Sequence, residues 1–303
     1  MDDRGNRSEP GWDLYRSFLA VLREGSLSGA ARALGLTQPT IGRHIEALEQ
    51  ALGLPLFTRS GHGFAPTEAA LELRPHAEAL AASAAALLRA ASGQGSGTRG
   101  VVRITASEVV GAEVLPPILA RLQQEHRGLV IELVLSNRTE DLLRRDADIA
   151  VRMVRPVQEA LVARRLGEIE LGLHAHQHYL DRCGVPAILD DLRAHPLIGF
   201  DQENAFIRDL RARGIALHRG MFTLRTDSDL AQLAAIRTGC GIGVCQVGLA
   251  QRDAQLVRVL PTAFSVKLET WLAMHEDLRA SRRCRVAYDA LAAGLSDYIA
   301  SAR

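Results

Sequence analysis

The chain has 303 residues, enough for two or three domains each with its own core, and 36 basic residues against 35 acidic ones leave a net charge of only +1. An apolar fraction of 47% fits a soluble globular protein, and charge composition alone announces no nucleic-acid, membrane or acidic partner. No run approaches the roughly 20 apolar residues of a membrane span, and the polar start Met1 to Gly11 lacks the apolar core of a signal peptide, so a cytoplasmic protein with no membrane partner is expected.

Residues 1–11 read as a disordered extension. Leu14, Phe18, Val21 and Leu22 then fall on one helical face from about Trp12 to Glu24, and Gly25 suits the left-handed residue that closes such a helix. Ser26 caps a short second helix carrying Ala30, Ala31 and Leu34, which stops at Gly35. A third helix runs from Thr37 to Leu52 with Ile41, Ile45, Leu48 and Leu52 as its buried stripe. The first turns of its other faces carry Gln38, Pro39, Thr40, Arg43 and His44. A helix fits the major groove, where Gln pairs with an adenine edge and Arg with a guanine edge or a phosphate. A solvated face on a small helical domain reads equally well from these residues alone.

The next segment separates the two readings. Leu54 to Phe64 has a strand, a glycine-rich tip at Gly61 and Gly63, and a return strand, which together make a two-stranded wing. A wing sets Arg59 and His62 beside the reading helix, against phosphates or the minor groove. Phe18 to Ala70 resembles the DNA-binding domain of the LysR-type transcriptional regulators. The resemblance is carried by Gly25-Ser26, Ala30-Ala31, Leu34, Gln38-Pro39, Arg43, Ile45, Leu48-Glu49, Leu52-Gly53, Pro55-Leu56-Phe57, Arg59 and Pro66-Thr67 at the family's spacing. It implies a winged helix-turn-helix over 12–66 that binds double-stranded DNA through Ser26, Arg32, Gln38, Pro39, Thr40, Arg43, His44, Arg59 and His62. Two positions depart from the family: Gly42 stands where a DNA-contacting serine is usual, and Ala70 where glycine is usual. Arg16, Arg23, Arg32, Arg43 and Arg59 only just outweigh Asp13, Glu24, Glu46 and Glu49, so paired copies on paired half-sites are expected.

Thr67 can cap a long helix in which Leu73, Ala77, Leu80, Ala84, Leu87 and Ala91 repeat at four and three, a coiled-coil seam with Pro75 as its irregularity; a helix packed on its own chain's core is the alternative reading. The resemblance makes 67–92 the dimerising linker helix and implies dimers or tetramers. Residues 93–99 form a Gly/Ser-rich hinge.

Beyond the hinge, strands alternate with amphipathic helices: Val101 to Ala106, a helix to Glu125, Val130 to Leu135, a short helix, then Asp148 to Arg152. Later strands are expected at Leu171 to Ala175, Leu197 to Phe200, Phe222 to Thr226, Ile242 to Cys245 and Leu268 to His275, with a last helix from about Ala280. This predicts α/β architecture with a parallel sheet. The resemblance implies a doubly wound effector domain of the type II periplasmic-binding-protein fold over 100–303, with subdomain I at 100–162 and 268–303, subdomain II at 163–267, and the effector held between them.

Ligands of open α/β sheets bind beyond the carboxyl ends of the strands. That rule selects Ser107, Ser136, Asn137, Arg152, Phe200, Asp201, Asp227 and Ser228 as effector-binding candidates, each of which also reads as a cap or a turn residue. Arg152 and Arg155, near the amides at Ser107, favour a small organic anion. Two alternative sensors are weighed. Cys240 and Cys245 could form a redox pair, although nothing cation-rich lies near to depress a thiol pKa. His174, His176 and His178 alternate as metal ligands would on one face of a strand, although no Cys or carboxylate accompanies them at ligand spacing. The four cysteines form no CxxC pair and should be reduced. No cofactor motif or catalytic signature is present, so an enzyme is not expected; RNA polymerase is an expected partner if the chain activates transcription.

Overall fold

The computed structural model describes residues 9–60, 63–92, 98–137, 147–156, 161–212 and 217–302. Most of the proposed N-terminal extension, His62, the heart of the 93–99 hinge and the short helix expected after Leu135 lie outside the described residues. The chain forms two units that part near Leu88.

In the first unit, α1 (Trp12–Glu24), α2 (Leu27–Leu34) and α3 (Gln38–Leu52) follow one another with short turns because each helix ends on a glycine at positive φ: Gly25 at 64°, Gly35 at 66° and Gly53 at 73°. Ser26 and Thr37 accept the first free amides of α2 and α3. Strands β1 (Phe57–Ser60) and β2 (Gly63–Pro66) pair antiparallel, with Phe57 opposite Pro66. Helix α4 (Glu68–Ser92) continues through Pro75. The core joins Phe18, Val21, Ala30, Ile41, Ile45, Leu48 and Leu56. Phe57 enters this core with its ring 5.8 Å from Phe18 and 5.6 Å from Phe64, so the wing is anchored by its own first residue.

Leu73 and Ala77 of α4 pack into that same core, Ala77 being 4% exposed. The expected coiled-coil seam is therefore divided: its first turns are used within the chain, whereas Leu80 and Leu87 remain exposed.

In the second unit, β3 (Gly100–Ala106), β4 (Leu129–Leu135) and β5 (Ile149–Arg152) form a parallel set flanked by α5 (Leu115–Glu125). The long β6 (Leu161–His176) leads to α6 (Gln177–Cys183), β7 (Leu197–Gly199), α7 (Ala205–Ala212), β8 (Phe222–Arg225) and α8 (Asp229–Arg237). Then come β9 (Gly243–Gln246), α9 (Val247–Ala250), β10 (Leu256–Val259), β11 (Val266–His275) and α10 (Arg282–Ser301). The main sheet runs β10-β6-β11-β5-β3-β4, with β9 also on β6.

The sheet is mixed, which corrects the expectation of a parallel one: β6 and β11 run antiparallel to each other along most of their length. They are also the two connections between a first core under α5 and α10, which takes Ile169 and Leu272, and a second core that takes Leu173 and Val266. The change of core on β6 falls between Ile169 and Leu173, downstream of Val162. The first half of β6 was not expected as a strand, because charged residues interrupt it. Their side chains pair across the sheet surface, Arg165 meeting Glu168 at 2.8 Å and Glu269 at 2.9 Å.

Candidate nucleic-acid interface and subdomain cleft

Helix α3 turns Ile41, Ile45 and Leu48 inward, which leaves Gln38, Pro39 and Arg43 exposed at its N-terminal half. Several of the candidate DNA residues turn out to have structural partners as well. Ser28 Oγ donates to Gln38 Oε1 at 3.0 Å, so the short second helix orients the carboxamide. Thr40 shares a 2.8 Å hydroxyl contact with the Thr37 cap. His44 Nδ1 meets the buried Ser17 Oγ at 2.7 Å, which fixes the ring against α1. Ser26 is half-buried and accepts the Gly29 amide at 3.1 Å, and Arg32 is exposed in the last turn of α2. The backbone of Arg59 pairs with Phe64 in the wing.

Glu49 had no assigned role from sequence. Its Oε1 accepts the amides of Leu56 at 2.7 Å and Phe57 at 3.2 Å, tying the end of α3 to the root of the wing. A carboxylate acceptor makes stronger bonds than a neutral one, which holds α3 and the wing in one geometry.

At the strand ends of the second unit, Asn137, Ser228 and the amide next to Ser107 come together. Asn137 Oδ1 accepts the Glu108 amide at 3.0 Å, while its Nδ2 donates to Asp229 Oδ2 at 2.8 Å. Ser228 caps α8 and donates to Glu108 Oε2 at 3.2 Å. Ser136 continues the sheet by donating its amide to Ala106. At the other end of α8, Arg237 makes a bidentate pair with Glu113 at 2.8 and 2.9 Å. Glu113 lies in a π-helical turn, Val110–Val114, a form that recurs where a helix is locally adapted to a site. The Arg237 hydrogen bonds hold the Glu113 carboxyl below the usual range. Burial, reinforced by the negative charge of Glu108, pushes Asp229 up to about 6.

The other candidates are not brought into this group. Phe200 packs edge-on against Phe206 at 6.3 Å, Asp201 pairs with Arg219 at 2.7 Å, and Asp227 accepts the amides of Asp201 and Gln202. Arg152 is 3% exposed and donates to Thr105 Oγ1 at 2.8 Å, while Arg155 lies over the Trp271 ring at 5.6 Å. The arginines behind the anion expectation are therefore engaged, and the carboxylates of Glu108 and Asp229 are what come together where the two subdomains meet.

The alternative sensors fare differently from their sequence spacing. Burial pushes the Cys245 thiol up to about 12, whereas Cys240 is exposed and contacts Thr238 Oγ1. His174 is buried with Nδ1 2.9 Å from the Gly172 carbonyl, and burial lowers its pKa to about 4. His176 Nδ1 accepts the His178 amide at 3.2 Å. The His176 and His178 rings lie 5.0 Å apart, but among the described residues no group of three His, Cys, Asp or Glu side chains could hold a metal ion.

Residues 12–71 match the bacterial regulatory helix-turn-helix protein model of the lysR family, and residues 95–296 match the LysR substrate binding domain. The chain belongs to the LysR family. A transcriptional regulator of Xanthomonas campestris is 30% identical over 59% of this chain, a match spanning about half (52%) of that relative's length. The probable regulator LtrA of Klebsiella pneumoniae is 24% identical over 90% of this chain and 91% of its own. Solved structures share the fold over nearly the full length. The virulence activator AphB of Vibrio cholerae is 21% identical with a TM-score of 0.60, covering 93% of this chain and 98% of that one. CbnR complexed with its target DNA is 18% identical with a TM-score of 0.63, covering 97% and 100%.

The two positions that depart from the LysR resemblance lie in unlike surroundings. Ala70 is fully buried in the first-unit core. Gly42 has space around it: a Cβ there would meet only Leu27 Cδ1, at 4.0 Å. Gln246 accepts the buried Tyr298 hydroxyl at 2.7 Å.

Proposed function

We propose that this LysR-family chain is a transcriptional regulator that reads promoter DNA with the N-terminal half of α3 and its wing, and responds to a small molecule held at the subdomain boundary of its second unit. One observation carries this reading: α3 presents Gln38, Pro39 and Arg43 on the face opposite its buried stripe, with Glu49 fixing the wing root beside it. Gln and Arg at the start of an exposed helix are the groups that reach base edges and phosphates in the major groove.

Paired copies follow from charge, because one reading head with so small a cationic excess makes few phosphate contacts. The exposed Leu80, Leu87 and Leu88 of α4 supply apolar surface for such pairing. Effector binding would shift the population between two arrangements of the paired heads, by as much as its affinities for the two differ. The anionic effector expected from sequence rests on Arg152, which is 3% exposed and would have to leave Thr105 to reach a ligand, and on the exposed Arg155, which lies over the Trp271 ring.

Footprinting on the promoters flanking the gene tests the reading. Arg43→Ala is expected to lose specific protection while retaining the wild-type melting temperature. Full operator affinity in that variant would overturn it. Calorimetry with small carboxylates against wild type and Arg152→Ala decides the effector's charge.

A further inference from the structure

The two subdomains of the second unit are joined through β6 and β11, and a further set of contacts crosses between them far from those strands in sequence. Glu108 and Glu113 precede α5 and Asn137 follows β4, all on the side of the first core. Ser228 and Asp229 open α8 and Arg237 closes it, on the other side.

These six residues form two separate points of attachment. At one end of α8, Asn137 bridges the Glu108 amide and the Asp229 carboxylate at 3.0 and 2.8 Å, and Ser228 reaches Glu108 at 3.2 Å. At the other end, Arg237 grips Glu113 through two hydrogen bonds. Val109, between Glu108 and the π-helical turn, packs against the cluster of Leu233, Ile236 and Leu249. The bonds use the side chains and the helix-start amide that face the boundary, and a bidentate Arg–carboxylate pair fixes orientation as well as distance.

We propose that α8 is the bar of a two-point latch that holds the subdomains together through the chain's own side chains, so that an effector acts by competing with Asn137 for the Glu108 amide and the Asp229 carboxylate. This rests on the reading of the subdomain boundary as the effector site. A ligand shifts such an equilibrium only by its unequal affinity for the latched and unlatched forms, so the latch sets the response threshold.

Hydrogen exchange on the full chain without added small molecule tests it, each variant being read at the end of α8 that it does not touch. Glu113→Ala is expected to speed exchange of the amides from Ser228 to Leu233, and Asn137→Ala that of the amides near Arg237, each by about tenfold. The charge-swapped pair Glu113→Arg with Arg237→Glu is expected to return the rates to within about threefold of wild type, which a merely unfolded variant would not do. Unchanged exchange at the far end in both single variants overturns the latch. So does faster exchange spread through β3 and α10 that the swap fails to reverse. No small molecule enters this readout, so failure of the effector-site reading would be seen separately, in the calorimetry with small carboxylates.

Discussion

Gly42 is the residue at which helix stability and the proposed DNA contact separate. It lies inside α3, where glycine costs about 1 kcal/mol relative to alanine because its backbone loses more freedom on folding. Close packing does not require it, since the nearest atom to an added Cβ is Leu27 Cδ1 at 4.0 Å. Gly42→Ala is therefore expected to stabilise the first unit by about 0.5–1 kcal/mol, read as a higher melting temperature. Gly42→Ser should gain less stability but add a hydroxyl on the half of α3 proposed to face DNA, and is expected to raise operator affinity. An affinity that falls in both variants would show that a side chain at 42 obstructs the groove. Glu49 illustrates what spacing does not reveal at this scale. Its match to the LysR pattern was visible in sequence, but its bonds to Leu56 and Phe57 depend on the turn after Gly53 bringing the wing root back to the helix end.

At the scale of elements, the N-terminal helices were legible because their ends are written in single residues: a capping Ser or Thr begins each of α2 and α3, and a left-handed glycine ends each of α1, α2 and α3. The first half of β6 was not, because Arg165 pairs with Glu168 on its own strand and with Glu269 on β11 in a stretch where charged residues interrupt the apolar pattern. Helix α4 lies between these cases. Its period of four and three is real, but the stripe serves two surfaces, with Ala77 buried in the domain core and Leu80 and Leu87 at 45% and 72% exposure. Substitutions along one stripe should then have unlike consequences. Leu80→Glu with Leu87→Glu is expected to shift sedimentation equilibrium toward lighter species and weaken operator binding, with little change in melting temperature. Ala77→Glu places an unpaired charge in the core and is expected to unfold the first unit. Assembly unaltered by the double substitution would remove α4 from the dimer interface.

Over the whole molecule, strand-end geometry led to Asn137 and Ser228 but not to their partners, because the bonds join residues 92 and 120 positions apart. The same boundary makes the fold sensitive to pH. Asp229 has its pKa raised from 3.8 to about 6 by burial and by Glu108, so the folded chain binds this proton more tightly than the unfolded chain does. The contribution to stability is complete below about 3.8 and is lost as pH rises through about 6, where the folded chain must carry a carboxylate that burial penalises. Asp229→Asn keeps an oxygen for the Asn137 donor and never ionises. It is expected to melt above wild type at pH 7.5, with the difference shrinking as pH falls to 5, because wild-type Asp229 is by then largely protonated. Arg237 does not compensate, being committed to Glu113 at the other end of α8. A melting difference that is constant between pH 5 and 7.5 would mean that Asp229 titrates as an ordinary surface carboxylate, and one that grows on acidification would reverse the sign of its coupling to folding.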